Sequence, residues 1–474
     1  MSKYETVIGL ELHCALKTNS KVFSPSKNSY SEVPNIYANE IDLSFPGIMP
    51  SLNKEAVRKA LKMSMVLGCT QPDELLFDRK NYYYPDLPKG FQITQVTKPV
   101  GINGKIGLYA DGKDFTVYIH DIHLEEDTAS LDHYDTYSLI NYNRCGAPLI
   151  EIVTTPCLHS GEEAVAFLEY LANSFKYCDI SEADTKKGQI RCDVNINLKN
   201  KEGKYVTPKV EIKNINSFSH VVEAINYEVK RQTEALDLGI EELVQETRRY
   251  DESTNTTIRM RTKVDSVDYK YFVEPNIPRI KIETSYLEEI KKEIPVLPNV
   301  RLIKYIKEYG FTEGEAKTIV RDIDLSDYFE ELVSLGVAPK TAFNWISSQI
   351  IGYLNKEYMN IKDFYLTPRL LKEIIDAINN GVISSKQGKE LFYLCLDEKQ
   401  EPSVLIKTHN MSQMSDDGTL SDIIDKIIEN NPEQRKAFHN GRSNLFDYFV
   451  GQVMKETRGK ANPVKVKEIL NERL

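Results

Sequence analysis

The sequence predicts an α+β protein: a strand-rich first domain, an all-helical second domain and a small helical tail. Three observations carry this. Up to about residue 290, several segments alternate apolar and polar residues at period two, the pattern of strands with one buried face. Beyond Glu293-Ile-Pro-Val-Leu-Pro298, where two prolines in four residues favour an extended path, the pattern turns helical. After a polar stretch from His409 to Thr419, three helix starts follow in succession. The expected domains are 1–292, 299–408 and 420–474. A chain of 474 residues is also too long for one ordinary core.

In the first domain, Pro46-Gly47, Pro88-Lys89-Gly90, Asn103-Gly104 and Asp111-Gly112 mark turns. Three helices are expected there. One covers 53–68, with Asn53 as N-cap and Gly68 past its end. A second opens with the pair Ser160 and Glu163 as a capping box and runs to about Tyr177. A third covers 218–238 and is closed by Gly239. Further on, Thr312 with Glu315 forms another capping box, and Thr367 precedes Pro368 at a first helical position. In the tail, Ser421, Asn431-Pro432 and Asn462-Pro463 open helices.

Composition bounds the function. Hydrophobic residues make up 41% and charged residues 27%, as in soluble globular proteins. No stretch approaches the roughly 18 apolar residues of a membrane span, and the start carries no basic-then-apolar signal. The expectation is a cytoplasmic protein with no membrane association. Seven cysteines without a CxxC pair fit buried, reduced thiols. A net charge of −10 argues against broad affinity for nucleic acid. The end runs against that sign, however, with nine Lys/Arg against five Asp/Glu in 433–474.

The first strand is the most informative segment. In Val7-Ile-Gly-Leu-Glu-Leu-His-Cys-Ala-Leu16, Ile8, Leu10, Leu12, Cys14 and Leu16 share one face. Glu11 and His13 share the other, about 7 Å apart. A carboxylate and an imidazole so placed can hold a divalent cation, or belong to a plain solvated face. Other strands repeat the pattern. Asp193 sits with Arg191, Asn195 and Asn197 opposite an apolar set, and Glu211 shares a face with Lys213. Glu151 lies within Pro148-Leu-Ile-Glu-Ile-Val153, and His123-Leu-Glu-Glu-Asp127 gathers three acids. If these strands share one sheet the acids converge, and convergent carboxylates with Lys nearby suit metal-assisted phosphate chemistry. The loop Asp78-Arg-Lys-Asn-Tyr-Tyr-Tyr-Pro-Asp86 and Lys89 offer phosphate-binding cations and aromatic faces, or an ordinary loop of packed tyrosines. Gly107 to Asp114 nearly matches a phosphate-binding P-loop. It fails at Asp114 and is followed by a strand pattern, so Asp111-Gly112 is expected to be a hairpin turn. No G-x-S-x-G elbow, HExxH motif or Cys/His metal spacing occurs.

These residues resemble the B subunits of tRNA-dependent amidotransferases. The resemblance rests on Val7 to His13, Phe77 to Gln95, His123 to Asp127, Asn141 to Val153, Arg191-Cys-Asp193, Glu211 to Ser217, Gln245-Glu-Thr-Arg248 and Gly459-Lys-Ala-Asn-Pro463. It is collinear over nearly the whole chain. It implies a cradle-like catalytic domain that uses ATP and Mg2+ to phosphorylate the side-chain carboxylate of Glu-tRNA(Gln) or Asp-tRNA(Asn). Ammonia then displaces the phosphate, supplied by a separate amidase A subunit with a small C subunit completing a heterotrimer. By the same resemblance, Glu11, His13, Glu126, Glu151, Asp193 and Glu211 form the Mg2+ and phosphate environment, with Glu125 beside them. His13, Glu126, Glu151 and Asp193 are the implied metal ligands. Lys80 and Lys213 stabilise the transferring phosphoryl group. Arg79, Lys89, Asn143 and Arg144 bind or orient ATP or the substrate carboxylate, and Lys455, Arg458 and Lys460 touch the tRNA backbone.

The chain departs from the family in three places. The stretch Phe23 to Pro46 has no cysteine where many members carry a zinc site, so no zinc is expected. Thr128-Ala-Ser130 replaces Ala-Gly-Lys, and Phe272-Val-Glu-Pro-Asn276 replaces Phe-Pro-Glu-Pro-Asp. A tRNA-binding subunit without catalysis, or a metal-dependent hydrolase on the same acids, are the alternatives. Asp193→Ala is expected to leave the fold intact and to abolish ATP use, read as ADP release by the folded variant.

Overall fold

The structure is a computed structural model that describes residues 3–215, 217–262, 268–411, 417–457 and 461–474. The chain divides into two compact units, Met1–Ile323 and Asp324–Leu474.

The strands of the first unit are β1 (Glu5–Ala15), β2 (Glu74–Leu75), β3 (Asp78–Asn81), β4 (Phe91–Thr94), β5 (Gly101–Ala110), β6 (Lys113–Glu126), β7 (Ser130–His133), β8 (Ser138–Asn141), β9 (Pro148–Thr154), β10 (Ile190–Lys199), β11 (Val210–Ile215), β12 (Glu246–Asp251), β13 (Thr256–Thr262), β14 (Phe272–Val273) and β15 (Ile280–Lys281). Eight of them form one sheet in the order β13-β12-β11-β10-β1-β9-β6-β5. Among the described residues, only β11 and β12 pair in parallel. The helices are α1 (Lys54–Val66), α2 (Gly161–Tyr177), α3 (Phe218–Leu238), α4 (Thr284–Lys292), α5 (Pro298–Lys307) and α6 (Glu313–Val320).

The period-two pattern decides which face is covered. Ile8, Leu10, Leu12 and Cys14 of β1 are buried, as are Ile150 and Ile152 of β9 and Val194 and Ile196 of β10. They pack with Leu61 of α1, Phe167 and Leu171 of α2, and Val221 and Ile225 of α3 in one core. The opposite face is left for polar side chains. The helices start where the caps predict. Asn53 accepts from Glu55 N and Ala56 N, Ser160 Oγ accepts from Glu163 N, and Gly239 takes the left-handed φ of +62° that closes α3. Glu163 accepts from His159 N rather than from Ser160 N, so the expected capping box is shifted by one residue on that side. Asp111 and Gly112 both have positive φ between β5 and β6, so the P-loop look-alike is a hairpin.

Beyond Ile122, β5 no longer pairs with β6. A small sheet, β14-β3-β4, takes over at that edge. Leu124 N donates to Gln95 Oε1 and Gln92 Nε2 donates to Glu126 O, so the open edge is satisfied by side chains. This sheet is clamped by Arg79 and Glu274. The Arg79 guanidinium lies over the rings of Phe91 and Phe272 and donates to both Glu274 carboxylate oxygens, Nη2 to Oε1 at 3.0 Å.

The break between units falls later than the linker at 293–298. α5 packs on β5 and α2, with Asn299 Nδ2 donating to Gly107 O and Lys307 paired with Asp114. The two prolines redirect the chain, and Leu302 and Tyr305 still bury themselves within the first unit. The second unit is helical: α7 (Ile323–Ser334), α8 (Pro339–Trp345), α9 (Ile351–Lys356), α10 (Pro368–Asn379), α11 (Ser385–Glu398), α12 (Pro402–Thr408), α13 (Asp417–Glu429), α14 (Pro432–His439), α15 (Leu445–Glu456) and α16 (Pro463–Arg473). Thr312 and Glu315 complete their capping box, and Thr367 caps α10. Ser421 lies inside α13, which starts at Asp417. The tail helices share a core of their own, with Leu420, Ile424, Phe449, Val453, Val466 and Leu470 buried. Among the described residues no helix is long and apolar enough to cross a membrane.

Burial alone would raise the Glu274 carboxyl, but the hydrogen bonds from Arg79 and Asn276 hold it below the usual carboxylate range. Its contribution to stability is therefore full above the ordinary carboxylate pKa and lost as pH falls through the depressed value. Arg79→Met is expected to cost about 3 kcal/mol at neutral pH, because it strands a buried charge, and less in acid. Chemical denaturation at both pH values checks this.

Candidate functional site

The polar face of the sheet brings the acids together in register. Glu11 of β1 stands opposite Asp193 of β10, and His13 stands opposite Glu151 of β9. His123 of β6 stands opposite Glu151 from the other side. The row continues to Lys213 on β11, whose Nζ donates to Asp193 Oδ2 at 2.6 Å and lies 3.3 Å from Glu211. From the small sheet, Lys80 of β3 faces the same space. The result is a cavity of about 370 Å³ lined by His13, Lys80, Glu125, Asp127, Arg191, Asp193 and Lys213 among others.

Glu151 is the centre of the electrostatics. His13 Nε2 lies 3.4 Å from it, and His123 Nε2 hydrogen-bonds it at 3.0 Å. His123 Nδ1 meets Asp121 at 2.9 Å, so both ring nitrogens face carboxylates and the imidazolium form satisfies both. Burial pulls the two histidines down. The charges of Glu151 and Glu125, with hydrogen bonds donated by the rings to Glu151 and Asp121, outweigh it and push His123 well above its usual range and His13 upward. Burial would raise Glu151, yet His123 and His13 hold it well below the usual carboxylate range. Glu11 and Glu125 go the other way: burial first, and then the charge of Glu151, raise both.

Two groups of donors are close enough to hold a cation: Glu11, His13 and Glu151, and His123, Glu125 and Glu151, each within 4.8 Å. They share Glu151. A small hard cation such as Mg2+ takes one or two protein carboxylates and fills its remaining positions from water and phosphate. The donor sets fit that pattern.

Of the residues singled out in the sequence, His13, Lys80, Asp193 and Lys213 line the cavity, Glu11 and Glu151 group with His13, and Glu211 lies beside Lys213. Asp193 is paired with Lys213 and stands outside both donor groups. Glu126 does not reach the cavity at all. Alternation turns it away from Glu125, and its carboxylate accepts from Ile93 N and pairs with Lys89. Arg79 is held by Glu274, and Asn143 ties down a loop by accepting from Tyr37 N and donating to Val33 O. Arg144 donates to Thr128 O and Ala129 O at the rim, where Asp127 also meets Arg191 Nη2 at 3.0 Å. Lys455 lies in the last turn of α15, whereas Arg458 and Lys460 lie outside the described residues. His123 and Arg191 are not among the site residues that the sequence singles out. The signal for His123 is present there: Asp121, His123 and Glu125 alternate with the buried Ile122 and Leu124, as Glu11 and His13 do with Leu10 and Leu12.

The stretch that separates β1 from α1 is organised by side chains. Ser24 Oγ donates to Asp42 Oδ1 at 2.7 Å, and the fully buried Lys21 lies 3.2 Å from Asp42. Ser130 donates to Asn141 O across the β7–β8 hairpin and is not a wall residue of the cavity.

Carboxylates arranged for a divalent cation, with Lys80, Lys213 and Arg191 spaced around them for anions, make a site suited to phosphate chemistry on a two-faced sheet. Residues 6–288 match the GatB/GatE catalytic domain, and residues 327–474 match the GatB domain. The B subunit of the aspartyl/glutamyl-tRNA(Asn/Gln) amidotransferase of Geobacillus kaustophilus is 43% identical over 472 residues, 99% of each chain. That of Oceanobacillus iheyensis is 42% identical over the same length and coverage. The chain belongs to this family, the B subunits of aspartyl/glutamyl-tRNA(Asn/Gln) amidotransferases.

Because Glu151 belongs to both donor groups, Glu151→Gln is expected to weaken Mn2+ binding at least about tenfold, and His123→Gln to weaken it less. Titration calorimetry distinguishes them. Cation affinity should rise with pH, since His13 and His123 must release protons held above their ordinary pKa.

Proposed function

We propose that this chain activates the side-chain carboxylate of Glu-tRNA(Gln), Asp-tRNA(Asn) or both, as the B component of a heterotrimer. The observation that carries this is a cavity lined by His13, Glu125, Asp193, Lys80, Lys213 and Arg191, with Glu11 and Glu151 grouped with His13 as cation donors. A carboxylate oxygen is a poor leaving group. Transfer of the γ-phosphoryl group of ATP to that oxygen gives an acyl phosphate and ADP. Ammonia then attacks the acyl carbon, phosphate leaves with the C–O bond, and loss of a proton gives the amide.

The roles follow from position. Lys80 and Lys213 line the cavity from different sheets and balance charge on the transferring phosphoryl oxygens. Arg191, held by one contact to Asp127, presents further N–H donors to an anion. His123 and His13 fix the Glu151 carboxylate. A Mg2+ would be held by Glu151 with either Glu11 and His13 or Glu125 and His123, and would supply charge neutralisation on phosphate when bound. Zinc has no part in this reading, and Ser24, Asp42 and Lys21 organise the stretch where it is bound in other members.

The ammonia source is an amidase A subunit acting on glutamine, since this chain has no nucleophile motif of its own, and a small C subunit joins the two. The second unit and its tail, 420–474, take the tRNA, with Lys455 on backbone phosphates. A cytoplasmic location goes with that role. The catalytically silent alternative rests on the Ser130 replacement, and ADP release by the assembled complex decides between the two readings.

The assembled complex is expected to release ADP in response to mischarged tRNA, and the tRNA that stimulates more names the substrate. An assembled complex that responds to neither Glu-tRNA(Gln) nor Asp-tRNA(Asn) overturns the reading.

A further inference from the structure

The three cations on the cavity wall are held in different ways. Lys213 is paired with Asp193 and Glu211, and Arg191 with Asp127. Among the described residues the Lys80 side chain makes neither an ion pair nor a hydrogen bond. Its ammonium instead lies over the ring of Tyr269, 4.8 Å from the centroid. A long, flexible lysine side chain needs something to keep it in one place. A carboxylate would do so at the cost of its charge and its donors. An aromatic face attracts the ammonium through its quadrupole and leaves the N–H groups free.

The ring is itself fixed. Tyr269 meets Tyr82 edge-on at 5.9 Å and 73°, and Tyr271 at 5.9 Å and 62°. Its backbone is tied to the strand that carries the lysine. Asn81 N donates to Tyr269 O at 3.0 Å, and Asn81 Nδ2 donates to Lys270 O at 2.7 Å. Further along, Phe272 pairs with Arg79 in the β14–β3 ladder. The aromatic residue and the lysine are therefore locked in register by contacts on both sides.

We infer that Tyr269 is a positioning residue for phosphoryl transfer, holding the Lys80 ammonium in the cavity with its donors available to the substrate phosphate. This rests on the activation reaction proposed above. The ring acts through Lys80 and touches no reacting atom. Its hydroxyl has no part, so Phe or Trp serves in its place. The effect falls on the chemical step, where charge on the transferring group is greatest, and not on substrate binding.

The test is ADP release by the assembled complex with mischarged tRNA, for wild type, Tyr269→Phe, Tyr269→Trp and Tyr269→Leu. Phe and Trp are expected to keep kcat within about twofold. Leu is expected to lower kcat about tenfold, the scale of a desolvated cation–π contact, with KM for ATP and for tRNA unchanged. A merely structural role would raise KM or lower the Tm of the complex instead. The inference is overturned if Leu retains kcat, if Phe falls as far as Leu, or if the loss appears in KM alone. Should the Leu variant fail to assemble, a loss of kcat in Phe or Trp still overturns it, and retention in both supports it. A wild-type complex without tRNA-dependent ADP release removes the activation reading, and the inference with it.

Discussion

Carboxylates crowded on one face of a sheet repel one another, and the fold has to hold them there regardless. Two charges about 4 Å apart cost about 4 kcal/mol at an effective dielectric constant of about 20. Glu11, Glu125, Glu151 and Asp193 therefore persist together only because other terms outweigh that repulsion. The other face of the same strands supplies the largest. Burial of Ile8, Leu10, Leu12, Ile150, Ile152, Val194 and Ile196 against α1, α2 and α3 fixes each strand's rotation, and with it the direction of every acid. A one-residue slip in register would exchange the two faces and abolish the site.

The remaining repulsion is met locally. His13 and His123 hold Glu151 ionised, and Lys213 neutralises Asp193, while Glu11 and Glu125 stay poised with raised pKa. On the proposed reading, a divalent cation held by these groups would complete the balance.

Other charged pairs in the first unit have a different task. Arg79 with Glu274, Lys89 with Glu126, and Lys21 with Asp42 are buried or half-buried and bind one segment to another. Their partners are complete, so they offer little to an incoming anion. Val273 and Asn276 flank Glu274, which clamps β3 through Arg79, and the stretch between β1 and α1 is held by Ser24 and Asp42.

Much of this is already written in the order of the residues. The alternation separates the buried from the polar face. The caps of α1, α2, α3, α6 and α10 and the hairpin at Asp111-Gly112 are legible too, as are the acids Glu11, Glu151 and Asp193 with Lys213, whereas Lys80 reads as part of a loop and lies on β3. These depend on local periodicity and local hydrogen bonding, which a linear reading contains. Folding in three dimensions adds that Glu125 and not Glu126 faces the cavity, that His123 joins Glu151, that Arg79 and Asn143 are consumed in packing, and that α5 and α6 belong to the first unit. Each of those depends on which strand lies beside which, and on partners far apart along the chain. Strand order and long-range pairing leave no trace in the composition of a single segment, so neighbours in space had to be seen rather than inferred.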